Sequence, residues 1–289
     1  VHGFFAISGY LITGSYLNSV GIGSFTVKRV LRLGPALVAA YLVSVWALFH
    51  CERFANNPVP YIANGPIWTL PWEVVMYFGV AAAGVLGMLR QSVSASVYAC
   101  GLLVLFMNLN SVTPASQVIA PLAMLFLGGA FIRLHSDAFD LRRYGMAGVV
   151  ILALLFLPGV SNVLLDILRR IPFLWAPDLN FPSIRLIFYL VAMPFVMIFL
   201  CERFFVSVPL KNDYSYGVYL YAWPIQQTVI FYAHRNGFPL SPLVLFFASG
   251  VLTGLAAALS WHFLEKPALR LKGARLIELL RSRLAPVKS

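Results

Sequence analysis

Charge is scarce in this chain. Asp, Glu, Lys and Arg make up 11% of it, and acidic residues number 10 in 289. An ordinary soluble domain carries about 25% charged residues, so a surface bathed mainly in water is excluded. The three cysteines, Cys51, Cys100 and Cys201, lie far apart, which excludes a disulfide framework and a cysteine-ligated zinc site. His2, His50, His135, His234 and His262 do not form a ligand cluster either, so no metal is expected. A Gly-rich phosphate loop and a Ser-His-Asp order are both missing. So are a cleavable signal peptide, an internal repeat and a low-complexity tract. The chain opens on Val1 in the middle of an apolar run, without an initiator Met, and a natural start further upstream is expected.

What is abundant is apolar surface. Sixty per cent of the residues are hydrophobic, and they fall in runs of about 17–25 residues, the length needed to cross a hydrocarbon core of about 30 Å. Nine spans are read: His2–Leu17, Pro35–His50, Ile67–Leu89, Val93–Leu109, Gln117–Leu134, Gly145–Pro158, Ile184–Leu200, Tyr214–Ala233 and Leu243–Leu264. The second and sixth are short, which suits little tilt or a locally thinned bilayer. The expected fold is an all-α, polytopic membrane helix bundle. Residues 1–272 form its membrane domain, and 273–289 a basic, Leu-spaced tail lying on the membrane surface.

The net charge of +11 points to a membrane rather than to nucleic acid, because the arginines sit at the ends of apolar runs. With the N-terminus outside, sixteen of the 21 basic residues fall on the inner side, among them Lys28, Arg29, Arg32, Arg90, Arg133, Arg142, Arg143, Arg203 and Lys211. The outer side holds Arg53, Arg169, Arg170, Arg185 and Arg235. This asymmetry predicts N-out and C-in, with the C-terminus in the cytoplasm of a bacterial inner membrane. An upstream tenth span would bring both termini to the cytoplasm. Two segments fit no simple span. Gly21–Gly34 carries its three cations on a short helical stretch that Pro35 closes, and Ser161–Ser183 is a long, proline-bearing outer connector.

Five stretches hold polar residues that lipid would not tolerate without a reason. Phe4–Thr13 contains Ser8 and Gly9, small residues that fit close helix packing. In Lys28–Pro35, Arg29 and Arg32 are three apart and share a helix face, so their guanidinium forks can converge. A topology anchor and a phosphate site both fit that pair. Trp68–Tyr77 places two Trp residues in the aromatic belt, but Glu73 lies one to two turns inside the span with no basic neighbour in sequence. Such a carboxylate faces a cavity or a partner. It could orient an imidazole, bind a sugar hydroxyl or pair with an arginine from another helix. Asp213–Pro224 brings Ser215, Tyr216 and further tyrosines to the inner mouth of the eighth span. Gly250 and Gly254 form a GxxxG pair read as a close helix contact; His262 and Glu265 are three apart, a spacing that allows them to face one another, but a packing role at the membrane end is the simpler reading.

Together these stretches resemble the acyltransferase 3 family of integral-membrane acyltransferases, which includes O-antigen and Nod-factor O-acetyltransferases. Phe4–Ile12 matches the family's FF-x-x-SG-x-L-I, with Ser8 and Gly9 as its small pair. Lys28–Pro35 matches R-x-x-R-x-x-P, and Trp68–Tyr77 matches W-x-L-x-x-E-x-x-x-Y. Tyr214–Pro224 matches SY-x-x-YL-x-x-x-P, and Glu265-Lys266-Pro267 the closing E-x-P. The five occur in family order and cover essentially the whole chain.

The resemblance implies about ten membrane helices, an acyl-coenzyme A co-substrate, no tightly bound cofactor, and transfer to a hydroxyl of a carbohydrate or lipid-linked glycan. By that implication Arg29 and Arg32 hold the coenzyme's phosphates while Ser215 and Tyr216 shape the donor entrance. Trp68, Glu73 and Tyr77 line the acceptor cavity. The family's catalytic histidine, with an arginine ahead of it, lies on a first helix that would precede Val1, and the chain without it is expected to be an inactive fragment. The alternative from another class is a secondary transporter or flippase of a lipid-linked sugar, which suits Glu73 and the Pro-interrupted eighth span but lacks inverted repeats. The acyl group, the acceptor and the oligomeric state are not legible in the sequence.

Overall fold

The computed structural model describes residues 1–107, 114–157, 159, 160, 163, 181–205 and 212–270. Among them every regular element is helical. The outer connector Ser161–Ser183 lies almost wholly outside the described residues, as do Lys211 and the basic tail 273–289.

Among the described residues ten α-helices follow one another: α1 His2–Leu17, α2 Ile22–His50, α3 Leu70–Val85, α4 Gln91–Met107 and α5 Pro114–Leu134, then α6 Leu141–Phe156, α7 Phe181–Leu200, α8 Ser215–Arg235, α9 Pro242–Ser260 and the short α10 Lys266–Arg270. Three segments of the described residues, Ile22–His50, Arg185–Arg203 and Pro242–Arg270, are long and apolar enough to cross a membrane. Bulky apolar side chains such as Phe78, Phe246, Phe247 and Leu243 point outward and are exposed. In water that would be an aggregation surface; against lipid tails it costs nothing. The chain is an integral membrane protein.

The helices gather into two compact units. The first comprises Val1–Ser19 and Trp72–Pro209, and so holds α1, most of α3, and α4 to α7. Small residues set its packing. A side-chain carbon on Gly9 would sit 1.9 Å from the Phe126 carbonyl oxygen, and one on Gly129 would sit 2.0 Å from that of Ala6. Only glycine lets α1 and α5 come that close. Gly145 and Gly148 give α6 the same intimacy with Phe199 and Val196 of α7. The Tyr98 hydroxyl on α4 donates to the Leu190 carbonyl of α7 at 2.9 Å, satisfying a polar group with no water at hand. A cavity of about 350 Å³ between α3, α4 and α5 is lined by Val75, Val80, Phe126, Phe131 and other apolar side chains, with Ser94 as its polar member.

The second unit comprises Val20–Pro71 and Leu210–Ser289, and so holds α2, the 3₁₀ turns Glu52–Phe54 and Gly65–Thr69, and α8 to α10. Its core packs Ala36 and Ala40 of α2 against Tyr216, Leu220 and Tyr221 of α8, with Leu70 beside them. At the other end of α2, Ala47, Cys51, Phe54 and Phe231 form a second buried cluster. Gly217 allows α8 to touch the backbone of Ala257 on α9.

Two expectations are corrected, and one open alternative is decided. Pro35 does not close the cationic stretch, because α2 runs unbroken from Ile22 to His50 with Pro35 inside it. The second span is therefore the first part's continuation rather than a short helix. Proline deletes one i→i−4 bond, the one to the Leu31 carbonyl, and a 29-residue helix keeps the others. The Tyr216 hydroxyl adds a bond to the nearby Leu33 carbonyl at 3.2 Å. Second, Gly250 and Gly254 make no close contact, since no described atom comes within 4 Å of where a side-chain carbon would stand. As for the alternative, His262 and Glu265 do not face each other. His262 is exposed with its Nε2 toward the Tyr214 hydroxyl, whereas Glu265 is buried and accepts from Ser260.

Candidate functional site

In the first unit, Glu73 stands near the start of α3 and is 2% exposed. Its Oε1 accepts from the Ser8 hydroxyl of α1 at 3.1 Å and from the Tyr77 hydroxyl one turn further along α3. A carboxyl so deep in apolar surroundings needs such donors, because burial without them costs several kcal/mol. Ser8 and Tyr77 are themselves buried. Sequence reasoning separates Ser8 from Glu73 as a packing residue; the structure brings them together across 65 positions. Trp68 belongs to the second unit and stands on the Gly65–Thr69 turn, 47% exposed. The apolar cavity of the first unit is lined by none of Trp68, Glu73 and Tyr77. His2 lies 2.9 Å from the Tyr189 hydroxyl.

The second unit assembles the basic cluster. Arg29 and Arg32 sit on the half-buried side of α2, where the Arg29 guanidinium packs 5.8 Å from the centre of the Phe25 ring. Arg32 Nη2 meets Asp213 Oδ2 at 2.5 Å. The other carboxylate oxygen of Asp213 accepts from the Ser215 hydroxyl at 2.5 Å and from its backbone N–H at 3.3 Å. Burial works against ionisation of Asp213, but the Ser215 hydroxyl and the Arg32 guanidinium outweigh it and hold the carboxyl below the usual carboxylate range. A folded-state pKa below the unfolded one adds stability above the unfolded value and forfeits it as pH falls through the folded one. The ion pair therefore persists at neutral and mildly acid pH. Tyr216 is buried in the α2–α8 core, its hydroxyl on Leu33.

Behind this cluster Glu265, 2% exposed, accepts from Ser260 at 3.0 Å, and Tyr221 donates to Ser260 at 3.3 Å. Glu265 lies within electrostatic reach of Arg32 and Asp213. Pro267 is exposed on α10. His262 is exposed, its Nε2 3.3 Å from the Tyr214 hydroxyl. Asp213 and Ser260 escaped the sequence reading. A carboxylate just ahead of a span's first Ser, on the side of an arginine pair, was the available signal for Asp213; Ser260 gave none.

Membrane-spanning helices, a buried carboxyl held by hydroxyls and an arginine pair at a helix mouth describe a membrane protein equipped for polar chemistry. The sequence profile of the acyltransferase 3 family, an acyltransferase domain, matches residues 1–262, and the chain belongs to that family. It is thus an acyltransferase acting on groups other than aminoacyl groups, which sets the transporter reading aside. The chain is 27% identical to an O-acetyl transferase of Shigella phage Sf6 over 91% of its own length and 82% of the relative's. It is 25% identical to Nodulation protein 10 of Rhizobium leguminosarum bv. viciae over 93% and 81% of the two lengths. No solved structure matches.

Proposed function

We propose that the chain is an O-acyltransferase of the O-acetyltransferase kind, moving an acyl group from acyl-coenzyme A to a hydroxyl of a carbohydrate or lipid-linked glycan. In this reading it lies in a bacterial inner membrane with the Arg29/Arg32 end and the C-terminus in the cytoplasm. The acceptor hydroxyl gives up its proton as its oxygen attacks the thioester carbonyl; a C–O bond forms, the C–S bond breaks, and the coenzyme leaves as the thiol, its sulfur gaining one proton for the one the acceptor lost. Arg29 and Arg32 bind the coenzyme's phosphates; Ser215 acts on that site through Asp213, and Tyr216 braces α2. Glu73, held by the Ser8 and Tyr77 hydroxyls, receives an acceptor hydroxyl.

The observation that carries the donor assignment is the arginine pair on one face of α2, with Arg32 paired to Asp213 just ahead of α8. A charge-assisted hydrogen bond contributes about 1.5–3 kcal/mol, so losing both guanidinium groups should cost on the order of 100-fold or more in transfer. Membranes carrying the full-length gene product, supplied with acetyl-labelled acetyl-coenzyme A, should label their glycans. An Arg29→Ala, Arg32→Ala double variant should lose that labelling at unchanged protein level; full labelling by the variant would remove the donor site from these residues.

A further inference from the structure

We propose that Asp213 is a positioning residue for the donor site: it fixes the Arg32 guanidinium in the orientation that meets the coenzyme's phosphates. The inference rests on the donor-site reading above and goes beyond it, since a bare arginine pair needs no carboxylate.

The geometry is that of a bridge. One oxygen of Asp213 takes Arg32 Nη2 at 2.5 Å, and the other takes Ser215 at the start of α8. The carboxylate so ties α2 to α8 across 181 positions of sequence. Its own backbone is held on both sides. Asn212 accepts from the Trp261 indole N–H at 3.0 Å and donates to the Tyr214 hydroxyl at 2.9 Å. The Tyr214 hydroxyl in turn lies 3.3 Å from His262. A surface ion pair contributes about 0–1 kcal/mol and needs none of this support. Here both flanking side chains restrain the turn that presents the carboxylate.

The pair is also only part-buried, the two side chains being 35% and 39% exposed. Arginine offers five N–H donors in a rigid fork. One carboxylate oxygen engages one of them, which sets the plane of the fork while leaving donors for phosphate oxygens. An anion beside a phosphate site carries a repulsive cost, and Lys28 and Arg29 on the same turn of α2 offset it. Orientation, rather than added charge, is what Asp213 supplies.

The test measures binding of coenzyme A to the purified full-length protein, alongside its melting temperature. Asp213→Asn should weaken binding about tenfold, the loss of one charge-assisted bond, and Asp213→Glu should recover most of it. Arg32→Gln should weaken binding at least as much. The decisive variant is the double one: because Asp213 acts through Arg32, Asp213→Asn with Arg32→Gln should bind no more weakly than Arg32→Gln alone. Ser215→Ala, which keeps the ion pair, should weaken binding about threefold with little change in melting; it reports on the bridge even if Asp213→Asn fails to fold. Independent, multiplying losses would overturn the proposal. So would Asp213→Asn binding equally well or more tightly, as a carboxylate that merely shields the arginine requires. A Ser215→Ala protein with unaltered affinity would overturn it as well. If Arg32→Gln leaves affinity untouched, the donor-site reading itself fails, and the two failures are distinguishable.

Discussion

Gly129→Leu should prevent the first unit from assembling, and even Gly129→Ala should lower its melting temperature in detergent measurably. A side-chain carbon at this position would lie 2.0 Å from the Ala6 carbonyl oxygen and 2.9 Å from the Tyr10 nitrogen. The reciprocal contact, Gly9 against Phe126, is as tight. In both cases the obstructing atoms are backbone, so no side chain can swing aside. Overpacking costs about 1–3 kcal/mol in ordinary cores, and separating two helix backbones belongs at the upper end, on the order of 100-fold in the folded-to-unfolded ratio. Gly250→Ala and Gly254→Ala supply the contrast. Nothing described lies near either position, so both variants should melt with the wild type. Equal losses at Gly129 and Gly254 would contradict this account of the packing.

Glu73→Gln should reduce acetyl transfer about tenfold, the difference between hydrogen bonding to a charged and to a neutral acceptor, without lowering protein level. Glutamine keeps the volume and one acceptor oxygen for Ser8 and Tyr77 while removing the carboxylate. Glu73→Leu goes further. It takes away the acceptor used by two buried hydroxyls, so a stability loss of about 1–3 kcal/mol is expected on top of the lost transfer. Steady-state transfer by the two variants, read beside their melting temperatures, separates the chemical role from the structural one. Wild-type transfer by the glutamine protein would reduce Glu73 to a packing group.

The helices themselves were legible because length and apolarity are local properties. His2–Leu17 is the first span as read, and the α3 to α9 boundaries fall within a few residues of the runs that define them. Partnership between helices is not local. The Gly250/Gly254 spacing has the look of a contact motif, yet it makes no close approach; Gly9, read as a packing residue, does make one, and so do Gly129, Gly145 and Gly217, which nothing in the neighbouring letters distinguishes. Pro35 misled for a related reason. A proline ends a helix when its lost bond cannot be spared, and a long helix braced by Tyr216 at Leu33 can spare it. At the site, Glu73 stood out because a carboxylate inside an apolar run demands explanation, whereas its partner Ser8 looked like packing. Asp213 stood at the edge of a span, where a charge is unremarkable, and only the fold sets it against Arg32.

The central claim is tested most directly by asking which side of the membrane the arginine turn faces. Gly23 is exposed and has open space for a side chain, and Asn56 is exposed in the connector beyond α2. In a background with Cys100 and Cys201 replaced by serine, Gly23→Cys and Asn56→Cys can each be labelled with a membrane-impermeant maleimide. Asn56→Cys should react in intact cells, and Gly23→Cys only in inverted vesicles, where the cytoplasmic face is open to the reagent. Labelling of Gly23→Cys from outside intact cells would put Arg29 and Arg32 beyond the reach of cytoplasmic acyl-coenzyme A and contradict the donor site proposed for them.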